Sequence, residues 1–334
     1  MVFEPWPVDA LEPVPYCPYC GGADRSLAYE GVQDWAFGAA PGLWTYWNCE
    51  HCQALYLDPR PTPVSIGNAY THYYTHARDQ TASRLGALKQ RLRNEVWSRS
   101  LHTSIVPRLR LPQWTTAWLR PRIAEPFGLR QLAQLPKGLL IDVGCGNGDK
   151  LQLAGQLGWQ ARGIELDASA VAAAQARGLQ VEQGGYEHLA NYREQADCLI
   201  CSHVLEHVHQ PLHLLGLLLA SLRPQGVLLL SVPNATSFLR YHYAENWRGL
   251  EAPRHLAIPS GVWLAEYLKA QGFDCTQVPS HPMETAIESE RMGRRGASIR
   301  PADVHAAQAV LRGLAQPSLA QQDVTQLVCV RLPA

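Results

Sequence analysis

The chain has 334 residues, 29 basic against 29 acidic side chains, and 17% charged residues overall. Balanced charge argues against a nucleic-acid surface, and no apolar run reaches the roughly 20 residues of a membrane span. The length suits two or three structural units, the largest of them an α/β core.

The N-terminus, Met-Val-Phe-Glu-Pro-Trp-Pro, has no basic segment followed by an apolar one, so no secretory signal is expected and a reducing cytoplasm is the default location. Residues 1–16 are rich in proline and read as extended. Two knuckles follow, Cys17-Pro-Tyr-Cys20-Gly-Gly and Cys49-Glu-His-Cys52. Together they present four thiolates as a tetrahedron, the geometry of a closed structural zinc site. Cys17, Cys20, Cys49 and Cys52 are therefore the candidate ligands of a structural Zn2+, with His51 as an alternative to one of them. Short strands are expected at 26–29 and 43–47. The nine cysteines read as metal ligands and buried thiols rather than as a disulfide framework. A zinc-ribbon-like domain is thus expected over 1–60, and a linker with a helical lid region over 61–135. Within 53–77, Asp58-Pro-Arg-Pro-Thr-Pro is a linker that fixes several φ angles, and the stretch from Tyr70 to His76 is aromatic and polar. A helix is expected over 81–99; its Arg84, Lys89, Arg91 and Arg93 read as a solvated face, or alternatively as a lid over an anionic acceptor.

From 139 onward, apolar runs alternate with helical patterns. Strands are expected at 139–143, 160–165, 179–182, 196–201, 225–232 and 273–278, and helices at 148–157, 168–177, 209–222 and 259–271. That alternation implies right-handed βαβ units and a parallel sheet. The organising stretch is Leu139-Leu-Ile-Asp142-Val-Gly144-Cys-Gly146-Asn-Gly148, an apolar strand closing on a glycine turn. Such a turn lets backbone approach a ligand at the carboxyl edge of the sheet. Glu165 ends the next strand, where a carboxylate accepts both ribose hydroxyls of a nucleoside. A last strand is expected at 324–332, and 281–323 reads as an insertion with one helix, 302–314.

The pattern Asp-Val-Gly-Cys-Gly-Asn-Gly, then Gly-Ile-Glu-Leu-Asp, resembles the class I S-adenosylmethionine-dependent methyltransferases over about residues 138–280. The resemblance implies a Rossmann-like α/β sheet, mostly parallel, whose last strand is antiparallel, in a domain over 136–334 with substrate loops at 234–257 and 281–323. It implies S-adenosylmethionine as donor and S-adenosylhomocysteine as product. Asp142, Gly144 and Gly146 are then expected beside the methionine part and ribose, Glu165 on the ribose hydroxyls, and Leu166 over the adenine. Tyr186 or a backbone carbonyl replaces the acid that many relatives place near the adenine amino group. The element Leu-Glu-His207 resembles a branch acting on small molecules, quinones and sugars; His203 is expected at the donor and His207 one turn beyond. Cys198 and Cys201 read as buried thiols, not as a second metal site.

The loop Asn246-Trp-Arg248-Gly-Leu-Glu251-Ala-Pro-Arg254-His255, taken with the knuckles, looks like zinc-bearing sugar methyltransferases of deoxysugar and polysaccharide pathways. Some of these use a Glu-His pair as base. Here Arg254 precedes His255, so only the histidine carries over, and O-methylation is favoured over C-methylation. His255 is the expected general base, His207 assists, and Arg254 with Arg248 orients an anionic or hydroxyl-rich acceptor. The expected acceptor is a small molecule, a sugar or sugar-linked intermediate. An RNA methyltransferase gripping RNA by its ribbon is the alternative enzyme, opposed by Arg25 being the only Lys or Arg between Cys17 and Cys52; a non-catalytic S-adenosylmethionine-binding protein is the alternative outside enzymes.

Overall fold

A computed structural model describes residues 5–70, 84–120, 123, 125–313, 318 and 322–333. The aromatic stretch expected from Tyr70 onward lies, beyond Tyr70 itself, outside the described residues, as do positions 81–83 of the expected first helix. The N-terminal part holds β1 (Leu11–Glu12), β2 (Arg25–Val32), β3 (Trp44–Cys49), β4 (Leu55–Leu57) and β5 (Arg60–Pro61). Three helices follow, α1 (Arg84–Ser100), α2 (Gln113–Leu119) and α3 (Leu129–Gln134). The alternating core then runs β6 (Leu139–Val143), α4 (Asp149–Gln156), β7 (Gln160–Glu165), α5 (Ala168–Ala176), β8 (Gln180–Gln183), β9 (Ala196–Ser202), α6 (Pro211–Ser221) and β10 (Leu222–Pro233). The remaining elements are α7 (Phe238–Tyr243), β11 (Ala257–Ile258), α8 (Gly261–Ala270), β12 (Phe273–Val278), α9 (Met283–Gly293), α10 (Pro301–Gly313) and β13 (Val324–Arg331).

The main sheet has the order β12-β13-β10-β9-β6-β7-β8. β6, β7 and β8 pair in parallel, and β13 pairs antiparallel with β12, so the last strand of the chain enters between β12 and β10. This is the Rossmann-like methyltransferase sheet expected from the motif. Local signals mark its helices. Asp167 caps α5 by accepting the Ser169 N–H at 2.7 Å, and Ser260 caps α8 through the Trp263 N–H. α8 is followed by Gly272 at φ +85°, a left-handed residue past the helix end.

Two departures concern elements without a strong period. Among its described residues, the insertion at 281–323 carries two helices, α9 and α10, not one. The cysteines also include one bridge, Cys275–Cys329, which joins directly opposed residues of β12 and β13. The expectation of ligands and free thiols only is corrected there, because the antiparallel register sets these two Cα atoms 4.0 Å apart. Cys198 and Cys201 are buried thiols, as expected.

Contacts divide the chain into two compact units, with the boundary passing through β9 and β10. One unit comprises 74–200, 220–229 and the last two residues, and includes β6, β7 and β8. Its buried residues include Leu140, Ile141 and Val143 on β6, Leu151 and Ala154 on α4, and Ala170, Val171 and Ala174 on α5. In α1, Lys89, Arg91 and Arg93 are exposed while Asn94 to Ser98 are buried, so these cations form a solvated face.

The other unit comprises 1–73, 201–219 and 230–332. It has a second, four-stranded sheet of order β11-β4-β3-β2. Its edge strand β11 comes from residues 257–258, directly after the loop that carries Arg254 and His255. One apolar cluster unites Trp6, Trp44, Tyr46 and Leu57 of the N-terminal part with Trp247, Leu250, Leu256 and Ile258 of the later part. Burying such aromatic side chains stabilises this cluster by roughly 25 cal/mol per Å2 of apolar surface removed from water.

Candidate active site

The first group of candidate site residues is built by the turn after β6. Gly144 and Gly146 have φ of +68° and +54°, the left-handed region that a side chain resists. The turn is tied to β7 by the Gly144 N–H on the Ile164 carbonyl at 2.8 Å. Glu165, 8% exposed, accepts the Gly146 N–H on Oε2 at 2.8 Å and the Asp167 N–H on Oε1 at 2.9 Å. Its carboxylate is therefore fixed at the end of β7 by the two loops it joins. Each oxygen of a carboxylate accepts more than one hydrogen bond, so both retain capacity for a diol. Asp142 is buried behind the turn; burial pushes its carboxyl up to about 6, against the pull of Lys150 and with the help of Glu165. Leu166 is 75% exposed, a free apolar surface beside this carboxylate, and Tyr186 opens the 3-10 turn Tyr186–Tyr192, half-buried. The turn thus presents a fixed carboxylate next to an exposed apolar side chain.

The second group of site residues lies after β9 and in the loop before β11. His203 takes φ +56° at the end of β9, and its N–H bonds the Ser231 carbonyl at 2.8 Å. Its exposed ring places Nδ1 3.1 Å from Glu206 Oε1. The Leu205–His207 turn is then tied to the later loop by the Leu256 N–H on the Glu206 carbonyl at 2.8 Å. His207 and His255 meet edge to face, with ring centroids 4.6 Å apart. His255 Nδ1 lies 2.6 Å from the Gly249 carbonyl, and a carbonyl only accepts, so Nδ1 carries the proton and Nε2 holds the lone pair. That Nε2 is 3.6 Å from Glu251 and 4.0 Å from Glu206. Burial lowers His255 to about 4 despite Glu251, so the ring is neutral at pH 7. Burial raises Glu206, but the hydrogen bond from His203 and the nearby histidine rings outweigh it and hold its carboxyl below the usual value.

The sequence left His255 without its glutamate. The structure supplies two: Glu206, adjacent to His207, and Glu251, one turn before His255. The signal for Glu251 was its spacing of four residues, legible only if residues 251–255 form a helical turn, as the Arg254 and His255 N–H groups on the Glu251 carbonyl now show. Glu206 had no local signal pointing to His255.

Arg254 departs from expectation. It is fully buried, clasps both Asp34 oxygens, donates Nε to Glu251 Oε1 at 3.2 Å and Nη1 to the Ala69 carbonyl at 3.0 Å. Burial opposes its charge, but Asp34 and Glu251 outweigh that and raise its pKa. Its fork is committed to the protein, so it shapes the loop rather than gripping an acceptor. Arg248 likewise donates to Glu251 and stacks on Phe37. Tyr46, also fully buried, donates its hydroxyl to the Leu250 and His255 carbonyls.

The four cysteines of the knuckles converge, with ligand atoms within 4.8 Å of one another. Cys17 and Cys52 sulfurs are 3.5 Å apart, and Cys20 and Cys49 sulfurs 3.4 Å. A tetrahedron of zinc–sulfur bonds at 2.3 Å has edges of about 3.8 Å, so the set fits a structural zinc. A hydrogen bond from Cys52 brings the Cys17 thiol down to about 5, against burial. His51 instead meets Asp24 at 3.1 Å, outside the cluster. Tyr19, inside the first knuckle, donates to the Ala257 carbonyl of β11 at 3.1 Å.

The sheet order and the glycine turn are those of a Rossmann-like methyltransferase fold. Residues 117–278 match the family model described as a methyltransferase domain. The chain is 29% identical over 127 residues to the ubiquinone biosynthesis O-methyltransferase of Histophilus somni, covering 34% of this chain and 53% of that one. It is 32% identical over 108 residues to the protein of the same name from Haemophilus ducreyi, covering 29% and 46%. The chain thus spans about half the length of the curated relatives it matches. Among solved structures, a methyltransferase dependent on S-adenosylmethionine from Archaeoglobus fulgidus is 18% identical with a TM-score of 0.41, covering 65% of this chain and 93% of that one.

Proposed function

We propose that this chain is an S-adenosylmethionine-dependent methyltransferase acting on the hydroxyl of a small acceptor. The observation that carries the reading is the Glu165 carboxylate, held between the Gly146 and Asp167 N–H groups where it can accept a ribose diol. Asp142, Gly144, Gly146, Leu166, Tyr186 and His203 complete the proposed donor contacts.

The donor, when bound, supplies a methyl group already activated by its sulfonium. The chain must hold the acceptor oxygen in line with that group and take its proton. His255 Nε2 carries the lone pair for this, and Glu206 and Glu251 stabilise the imidazolium that forms. His207 packs against the ring and keeps it aligned. The four cysteines hold a zinc that supports the fold, since all its protein ligand positions are taken.

For the acceptor, a sugar or sugar-linked intermediate is supported by the combination of knuckles and a His255-bearing loop. A second reading, a hydroxylated aromatic precursor of a quinone, is favoured by the names of the curated relatives. Donor turnover against nucleotide sugars, lipid-linked saccharides, polyprenyl phenols and RNA, read by mass spectrometry, tests both. His255→Ala should lower turnover by about 10²–10⁴ with donor affinity unchanged; normal turnover in that variant with a true acceptor removes the base role.

A further inference from the structure

Glu206, His207 and His255 form a second candidate ligand set, separate from the cysteines. One carboxylate oxygen of Glu206 and one ring nitrogen from each histidine lie within 4.8 Å of one another. Three features of these side chains are those of ligands rather than of a hydrogen-bonded cluster. The first is the hydrogen bonding of the rings. His255 Nδ1 donates to the Gly249 carbonyl at 2.6 Å, and His207 Nδ1 is held between the Arg254 carbonyl at 3.1 Å and the Tyr70 hydroxyl at 3.0 Å. The Gly249 carbonyl therefore fixes the His255 ring with the proton on Nδ1 and the lone pair on Nε2. Metal-bound histidines are oriented in this way by the hydrogen bond of their other nitrogen.

The second feature is Glu206 itself. It is fully buried, and its Oε2 has no hydrogen-bond partner among the described residues. A buried carboxylate oxygen left unpaired is costly unless a cation meets it. The third is that acceptors face acceptors. His255 Nε2 and Glu206 Oε1 stand 4.0 Å apart, and in this tautomer no proton lies between them. Glu251 is already paired with Arg248 and Arg254, so it supports the set without joining it.

We infer that Glu206, His207 and His255 bind a divalent cation of the borderline class that two imidazoles and one carboxylate select, such as zinc, cobalt or iron(II). Three protein ligands leave a position open for an oxygen ligand, unlike the closed cysteine set. An ion bonded at about 2.0–2.1 Å draws tetrahedral ligands to about 3.4 Å from each other, so binding contracts the cluster. This rests on the reaction proposed above: an ion held there would lower the pKa of a bound acceptor hydroxyl, whose proton would leave to solvent, and His255, with Nε2 bonded to the ion, would serve as a ligand instead of as the base.

Cobalt(II) titration of the full chain, with zinc first loaded on the cysteines and no donor or acceptor present, separates this site from the methyl-transfer reading. One equivalent should bind with visible d–d absorption and without a sulfur-to-cobalt charge-transfer band, and should raise the unfolding temperature. His207→Gln and Glu206→Gln should each lose tenfold or more in cobalt affinity, with S-adenosylhomocysteine binding retained as the check on folding. No d–d absorption in the wild-type chain at saturating cobalt overturns the inference, whatever the variants do. So does an absorption band unchanged in His207→Gln. A cobalt band with charge-transfer character assigns the ion to the cysteines and also overturns it.

Discussion

Glu165→Gln tests the donor site most directly. In the wild type the carboxylate accepts the Gly146 N–H at 2.8 Å and the Asp167 N–H at 2.9 Å, one on each oxygen. Each oxygen then keeps capacity for one ribose hydroxyl. Glutamine keeps one oxygen and replaces the other with an NH2 group, which must face one of those two backbone donors. One ribose hydrogen bond to a charged acceptor is lost, at about 1.5–3 kcal/mol, and the other falls to neutral strength, at about 1 kcal/mol. A total of about 2–4 kcal/mol corresponds to roughly 30- to 1,000-fold weaker binding. Isothermal titration with S-adenosylhomocysteine measures this without turnover, and circular dichroism checks that the fold persists. An affinity within about threefold of wild type refutes the reasoning, because two anchored hydrogen bonds to a buried carboxylate cannot be worth less than about 0.7 kcal/mol.

Other consequences follow from individual side chains. Asp142 has a folded pKa of about 6 against 3.8 in the reference state; the folded chain therefore binds this proton more tightly, and the associated stability is present below 3.8 and lost as pH rises through 6. Asp142→Asn should gain on wild type between pH 4 and 7 by up to about 3 kcal/mol, and parallel denaturation curves across that range count against it. Arg254→Ala leaves Asp34 buried without the guanidinium that clasps it and takes one of two arginines from Glu251, and should cost about 3–5 kcal/mol of stability; a variant with wild-type stability and only a weakened acceptor would restore the role in gripping an anion. Cys17→Ser combined with Cys49→Ser should abolish one zinc per chain and lower the unfolding temperature, since binding and folding of a four-thiolate site are linked; zinc retained in full by metal analysis contradicts the assignment.

Much of the donor side is determined by the sequence alone. A strand, a glycine turn and a helix N-terminus are contiguous, so the conformation each glycine must adopt is set by neighbours within a few residues. β6, β7 and β12 match their expected bounds for the same reason: their apolar runs and flanking breakers are local. The paired spacing of the knuckles likewise marks Cys17, Cys20, Cys49 and Cys52, whose sulfurs converge as expected.

The proposed acceptor side was decided by tertiary structure. Glu206 reaches His255 across 49 positions only because the Leu256 N–H binds the Glu206 carbonyl and holds the two loops together. Arg254 read as a free anion receptor because nothing near it in sequence announces Asp34, 220 positions earlier, which occupies its guanidinium. The edge strand β11 completes the sheet of the knuckles from residues 257–258, and Cys275 finds Cys329 through the β12–β13 register. In each case the deciding interaction joins distant residues, and a buried charge or unpaired strand edge takes the partner that packing brings to it, which spacing along the chain does not record.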